Sequence, residues 1–145
     1  MAKKDFSKIN ASLFKHSLEI QVRFVDIDIA GHVNNATILT YFETARVAFL
    51  DELVGKENDW RGKGLIIARA EVDYIEPVYL YDKIKVYSRI AHTGTKSFTI
   101  ENLLVKVNGG KEIFASVASF VTVCFDYKEK RTAAIPDEWR DKLQI

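Results

Sequence analysis

Between His16 and Phe24 apolar and polar residues alternate. Leu18, Ile20, Val22 and Phe24 point one way, and Ser17, Glu19, Gln21 and Arg23 the other. A period of two marks a strand with one buried face. The next stretch, Asp26 to Asn35, breaks that pattern with acids, a glycine and two asparagines, and reads as a loop. From Ala36 to Val54 the period lengthens. Ile38, Tyr41, Phe42, Ala45, Ala48, Phe49 and Leu53 recur at helical spacing, while Leu39, Val47 and Leu50 widen the stripe. Asn34 or Asn35 supplies the cap. A helix this apolar around its girth is expected to be largely covered.

After a polar connection over 55–64 the pattern returns to strands. Residues 65–76 place Ile66, Ala68, Ala70, Val72 and Tyr74 on one parity, and Pro77 interrupts the run. Residues 83–91 alternate, 92–96 turn the chain, and 97–107 form another strand. Gly109 and Gly110 make a hairpin turn. Residues 112–125 are apolar on both parities, as in a central strand covered on both faces. Pro136 is placed at the first position of a short final helix, docked by Trp139 and Leu143. One strand, one long helix and four strands predict the α+β class, with a curved, mostly antiparallel sheet wrapped around the helix.

Composition adds limits. With 145 residues, no repeat and no linker-like stretch, residues 1–145 read as one domain. Hydrophobic residues are 48% and charged residues 28% of the chain, which is a globular composition. Lys and Arg number 21 against 20 Asp and Glu, and a net charge of +1 argues against a nucleic-acid partner. No apolar run reaches the roughly 18 residues that span a bilayer, and the charged first residues show no signal-peptide core. A single cysteine, Cys124, excludes an internal disulfide and fits a reducing cytoplasm; its dense apolar setting makes it a core thiol. His16 and His92, at strand ends with no acid or cysteine pattern nearby, read as surface residues. No His, Cys and acid set has zinc-ligand spacing, and no G-x-S-x-G elbow occurs.

The loop before the helix carries the candidate chemistry. If the chain stays extended, Asp26 and Asp28 share the inward parity of Leu18 and Phe24. A carboxylate aimed inward needs hydrogen bonds or a cation. Asp26 reads as a turn residue bonded to nearby N–H groups. Asp28 fits either that role or a reactive one, because the chain then enters a helix start whose bare N–H groups can hold an oxyanion. A carboxylate there could attack a carbonyl or take a proton from water. Gly31 permits close backbone approach. His32 could assist the acid or simply hydrogen-bond the turn. Glu43 and Arg46 stand three apart on the helix and are placed to pair.

The motif Asp26-x-Asp28-x-x-Gly31-His32-Val33-Asn34-Asn35, followed by Tyr41-Phe42-Glu43-x-Ala45-Arg46, resembles the signature of the hot-dog-fold acyl-CoA thioesterases, in the 4-hydroxybenzoyl-CoA thioesterase-like branch. The resemblance implies a sheet wrapped around one long helix and metal-free, cofactor-free hydrolysis of an acyl thioester. It implies Asp28 as nucleophile or general base, the Asn35 N–H as the carbonyl-polarising donor, and His32 as a secondary catalytic candidate. Gly31, Val33, Asn34, Glu43, Lys96 and Ser97 are the substrate-binding candidates it implies. Lys96, in the turn His92-Thr93-Gly94-Thr95-Lys96-Ser97, is all that is retained of the basic cluster that relatives use for CoA. It further implies a homodimer or homotetramer with sites across the subunit interface. An acyl carrier protein (ACP) thioesterase, a hot-dog dehydratase or hydratase, and a non-catalytic acyl-CoA-binding module are the competing readings.

Overall fold

A computed structural model of the protein describes residues 5–144; the first few residues of the leader reading lie outside them. Five long strands and one long helix make the body: β1 (His16–Gln21), α1 (Asn35–Val54), β2 (Lys63–Tyr74), β3 (Lys83–Thr93), β4 (Ser97–Asn108) and β5 (Lys111–Asp126). A two-residue strand β6 (Arg131–Thr132) and a one-turn helix α2 (Asp137–Arg140) close the chain. The sheet order is β1-β3-β4-β5-β2, antiparallel throughout, with β6 on the end of β5. The sheet curls around α1, as the pattern required.

Asn34 caps α1: its Oδ1 accepts from the Ala36 N–H at 2.8 Å. At the other end Gly55, with φ of 95°, takes the left-handed turn that stops the helix. The helix buries Ile38, Tyr41, Phe42, Ala45, Arg46, Phe49 and Leu50. Tyr41, Phe42 and Ala45 pack against Val86, Leu104, Ala118 and Phe120, and Phe49 and Leu50 against Ile90, Phe98 and Ile100. Each large side chain so buried contributes roughly 1.5–3 kcal/mol. Trp139 and Leu143 do dock the C-terminal turn, into the same cluster as Phe49. On the convex side Phe14, from the N-terminal segment, covers Leu103 and Val105, so β4 is buried on both faces over residues 102–105.

Several expectations need correction. β1 ends at Gln21, not Phe24; residues Phe24–Asp26 form a 3₁₀ turn, and Phe24 is 83% exposed. The turn forms because the Arg23 N–H donates to Asp26 Oδ2 at 2.9 Å while the Asp26 N–H donates to the Arg23 carbonyl at 3.0 Å. In β2 the pairing with β5 slips between Ile67 and Arg69. This bulge shifts the parity, so Leu65 and Ile67, not Ile66, share the inner face with Ala70 and Val72. β5 is central, between β4 and β2, yet only its inner face is fully buried; Val117, Val121 and Val123 are half-buried. Pro136 is the cap of α2, one residue before its first turn. His16 is not a surface residue. Its side chain is 11% exposed, with Nε2 3.2 Å from Glu52 and its ring against Phe49. Finally, α1 is not covered all round. It packs against β1, β3, β4 and the inner face of β5, while Leu39 and Val47 stay exposed.

Candidate functional site

The loop between the 3₁₀ turn and α1 is a tight hairpin. Ile27 and Val33 pair as an isolated bridge. The Asp28 N–H donates to the His32 carbonyl and the Gly31 N–H to the Asp28 carbonyl, both at 3.0 Å. Gly31 holds φ of 86°, a left-handed value that costs other residues roughly 1–2 kcal/mol. The hairpin is anchored on both sides. The Val33 N–H donates to the Val78 carbonyl at 2.8 Å, and the Asn34 N–H to the Asp26 carbonyl at 2.9 Å.

Asp26 is the buried post of this arrangement, 2% exposed. Oδ2 accepts from the Tyr41 hydroxyl at 2.6 Å, and Oδ1 from Arg23 Nη2 at 2.8 Å. Burial alone would raise its pKa. The hydrogen bonds from Arg23 and Tyr41 outweigh that and hold it below the ordinary carboxylate value. The Tyr41 hydroxyl is pushed up, first by burial and then by the carboxylate it serves. Both Asp26 oxygens are therefore engaged by Arg23 and Tyr41, in keeping with its reading as a turn residue.

Asp28 is placed differently. Its side chain is 24% exposed; Oδ1 accepts from the Ala30 N–H at 2.8 Å, and Oδ2 lies 3.9 Å from His32 Nδ1. That leaves Oδ2 without a tight partner. His32 Nδ1 is 3.2 Å from the Val33 carbonyl, which favours the proton on Nδ1 and leaves Nε2 as an acceptor. At the helix start, Asn34 Oδ1 consumes the Ala36 N–H, whereas the Asn35 N–H has no hydrogen-bond partner among the described residues. The Asn35 carbonyl accepts from the Tyr74 hydroxyl at 3.1 Å. His32, Val33, Asn35, Ile38 and Tyr74 line a cavity of about 330 Å³ beneath this point; Asp28 stands next to its His32 wall and is not itself a wall.

The structure thus gathers Asp28, Gly31, His32, Val33, Asn34 and Asn35 in one hairpin and helix start. It does not bring the other candidates there. Glu43 is exposed in the middle of α1 and makes no ion pair with Arg46; the Arg46 guanidinium lies 4.6 Å from the centre of the Phe120 ring instead. Lys96 and Ser97 sit in the β3–β4 turn, where Lys96 Nζ reaches Thr132 Oγ1 at 3.4 Å. Ser97 pairs with Val123, and Tyr74 with Ser116. Seven residues of β5 separate those two pairs, roughly 24 Å along a strand. Tyr74, at the cavity wall, reads in the sequence only as a strand residue, because its place shortly before Pro77 carries no signal of its hydroxyl bond. Among the described residues no three His, Cys, Asp or Glu side chains stand together as a metal site would require, and no helix is long and apolar enough to cross a membrane.

The chain is similar to known proteins over most of its length. The family model for the Thioesterase-like superfamily matches residues 22–143. The chain is 26% identical over 130 residues to the long-chain acyl-CoA thioesterase FadM of Escherichia coli (strain K12), spanning 87% of this chain and 95% of that one. It is 29% identical over 92 residues to YsmA of Bacillus subtilis (strain 168), a match covering 63% of this chain and 61% of that protein. A thioesterase of Thermus thermophilus, solved with coenzyme A and Zn, superposes with a TM-score of 0.77 at 31% identity, over 91% of this chain and 99% of that chain. The chain belongs to the Thioesterase-like superfamily of thioester hydrolases and carries its hot-dog fold.

Proposed function

We propose that this protein hydrolyses acyl-CoA thioesters to the free acid and CoA. The observation that carries the reading is the unpartnered Asn35 N–H at the positive end of a long helix, one short hairpin from a carboxylate with a loosely held oxygen. In this reading the thioester carbonyl accepts from the Asn35 N–H, which also holds the oxyanion of the tetrahedral intermediate. Asp28 either attacks the carbonyl carbon or takes a proton from the water that does. In the first case an acyl–Asp28 anhydride forms, the thiolate leaves, and water then cleaves the anhydride. In the second no covalent intermediate forms. His32 Nε2 is free to receive or return the proton. Gly31, Val33 and Asn34 shape the backbone around the reacting group.

The reading includes a second copy of the chain. β2 pairs on one side only, with β5, and Ile66, Ile67 and Tyr74 on it are exposed, as are Leu39 and Val47 on the adjoining flank of α1. An open apolar edge of this length invites pairing with its own copy. In such a homodimer Glu43, Lys96 and Ser97 of one subunit could serve the hairpin of the other. A lone buried thiol suits the reducing cytoplasm where this chemistry is proposed to run.

The experiment is release of free thiol from a panel of acyl-CoAs and the matching acyl-ACPs. Turnover of acyl-CoAs above acyl-ACPs is expected. Preference for acyl-ACPs would transfer the activity to that carrier, and tight acyl-CoA binding with no thiol released from any member would replace the enzyme by a binding module.

A further inference from the structure

Three consecutive peptide units lead into α1, and all but one of their polar groups are held. The Val33 carbonyl lies 3.2 Å from His32 Nδ1, and the Asn34 N–H donates to the Asp26 carbonyl at 2.9 Å. The Asn34 carbonyl accepts from the Ile38 N–H at 3.1 Å. The Ala36 N–H donates to Asn34 Oδ1 at 2.8 Å, and the Asn35 carbonyl accepts from the Tyr74 hydroxyl at 3.1 Å. The Asn35 N–H, in the midst of these, has no hydrogen-bond partner among the described residues. Four of the five bonds join residues no more than eight positions apart. The fifth comes from Tyr74, 39 positions away, and it alone of the five ties the helix start to the sheet.

Tyr74 has a rigid mount. It ends β2, opposite Ser116 of β5, and continues the inner parity of Ala70 and Val72. Ser116 Oγ donates to the Asp73 carbonyl at 2.8 Å. The Ile75 and Glu76 N–H groups both donate to the Ala115 carbonyl, at 2.9 and 3.1 Å. The backbone on either side of the ring is thus fixed to β5. Burial pushes the Tyr74 hydroxyl above the ordinary phenol pKa, so it stays a donor at neutral pH. Tyr74, Val33, Asn35 and Ala115 line the same cavity of about 330 Å³. The side chain that holds the helix start is therefore also a wall of the space beneath it.

We infer that Tyr74 is a positioning residue, which fixes the Asn35 N–H in the place where it meets the thioester carbonyl. The inference rests on the thioester reading above and deepens it. Without the hydroxyl bond, the peptide unit between Asn35 and Ala36 keeps only its local cap, and the first turn can rock relative to β2 and the cavity. A donor serves an oxyanion only within a narrow range, about 2.7–3.1 Å from the atom where charge develops. A displacement of about 1 Å costs on the order of 10²-fold in rate. The fold itself loses little, because Tyr74 is 47% exposed and water can replace the hydroxyl at the Asn35 carbonyl. Rate and stability therefore come apart at this residue. The role needs no open access to Tyr74, so a second copy pairing along β2 leaves it standing.

The test uses Tyr74→Phe, which keeps the cavity wall and removes only the bond, with dodecanoyl-CoA carrying carbon-13 at the thioester carbonyl. Tyr74→Phe should lower kcat about 10-fold, with KM within about twofold of wild type and the urea midpoint close to it. A merely structural role would lower the midpoint and spare the kcat of folded protein. The second readout needs no turnover. Bound to Asp28→Asn protein, the labelled carbonyl should absorb at a lower infrared frequency than in the free thioester, because the Asn35 N–H draws on its double bond. Adding Tyr74→Phe should shrink or erase that shift. A wild-type protein that releases no thiol, with a carbonyl shift that still depends on Tyr74, sinks the hydrolase reading and keeps the positioning role. A carbonyl shift unchanged by Tyr74→Phe overturns the role whether or not kcat falls, and equal thiol release by the two proteins then leaves the hydrolase reading in place. A carbonyl with no shift in Asp28→Asn protein overturns the role as well, since no donor then reaches the thioester.

Discussion

The Tyr41 hydroxyl donates to Asp26 Oδ2 across 2.6 Å, and this single bond fastens the second turn of α1 to the hairpin that carries Asp28. Both groups are buried, so water offers no replacement when one is removed. Tyr41→Phe should cost about 1.5–3 kcal/mol, the range for a hydrogen bond to a charged acceptor, read as a lower urea midpoint at unchanged slope. The same site makes stability depend on pH. Asp26 titrates below its ordinary value when folded, so its contribution is complete above the unfolded carboxylate pKa near 3.9 and is lost as pH falls through the lower folded value. Unfolding midpoints measured from pH 6 down to pH 2 should therefore fall more steeply for wild type than for Asp26→Asn. Parallel curves would show that Asp26 is not held below its usual range.

Asp28→Asn retains shape and the bond from the Ala30 N–H while removing the charge. Turnover should drop by at least about 10²-fold, the lower end for loss of a general base or nucleophile. The urea midpoint should stay close to wild type, because the side chain is partly exposed and has no buried partner to strand. Asp26→Asn should show the reverse balance, with stability the larger loss. Single-turnover reaction in heavy-oxygen water tests the covalent route: label found in the Asp28 carboxylate marks an anhydride opened at its Asp28 carbon, whereas label only in the released acid places water attack on the acyl carbon in either route.

What the sequence discloses and what it hides differ in kind. The start of α1 is legible because the cap is local: Asn34 bonds a neighbour two residues on, and the change of period begins beside it. The site hairpin is legible for the same reason, since Gly31 and its flanking acids and amides determine a turn within ten residues. Phe24 is misread because alternation alone cannot show that Arg23 and Asp26 will close a 3₁₀ turn and rotate the ring outward. Ile66 and Ile67 exchange faces because a bulge is decided by pairing with β5, a strand more than fifty residues away in sequence. Arg46 looks like the partner of Glu43 at helical spacing, but the Phe120 face that attracts it comes from another element. Local hydrogen bonding is written in neighbouring residues, whereas the tertiary choice among competing partners is not.

Cys124 sits 3% exposed on the inner face of β5, and burial pushes its thiol pKa up to about 11. At neutral pH the thiolate fraction is negligible and access is closed, so two separate factors slow alkylation. Iodoacetamide should leave the native protein unmodified over hours at pH 7 and label it once in urea. The labelling rate should track the unfolding equilibrium. Rapid modification of native protein would mean that β5 and the C-terminal turn open locally.

Gly31 offers a separation of shape from stability. A Cβ built there meets nothing within 4 Å, so Gly31→Ala carries no clash. Its cost comes from the backbone alone: φ of 86° is open to glycine and costs alanine about 1 kcal/mol or more. The hairpin can relieve that strain by relaxing its turn, which would disturb the bonds between Asp28 and His32 and between Gly31 and Asp28. Any relaxation moves the Asp28 carboxylate relative to the Asn35 N–H, and a displacement of about 1 Å can cost on the order of 10²-fold in rate. Gly31→Ala is therefore expected to lower kcat by far more than a stability loss of about 1 kcal/mol implies, with KM changing little. Loss of stability with kcat intact would show that the hairpin tolerates the strain and that the position of Asp28 does not limit turnover.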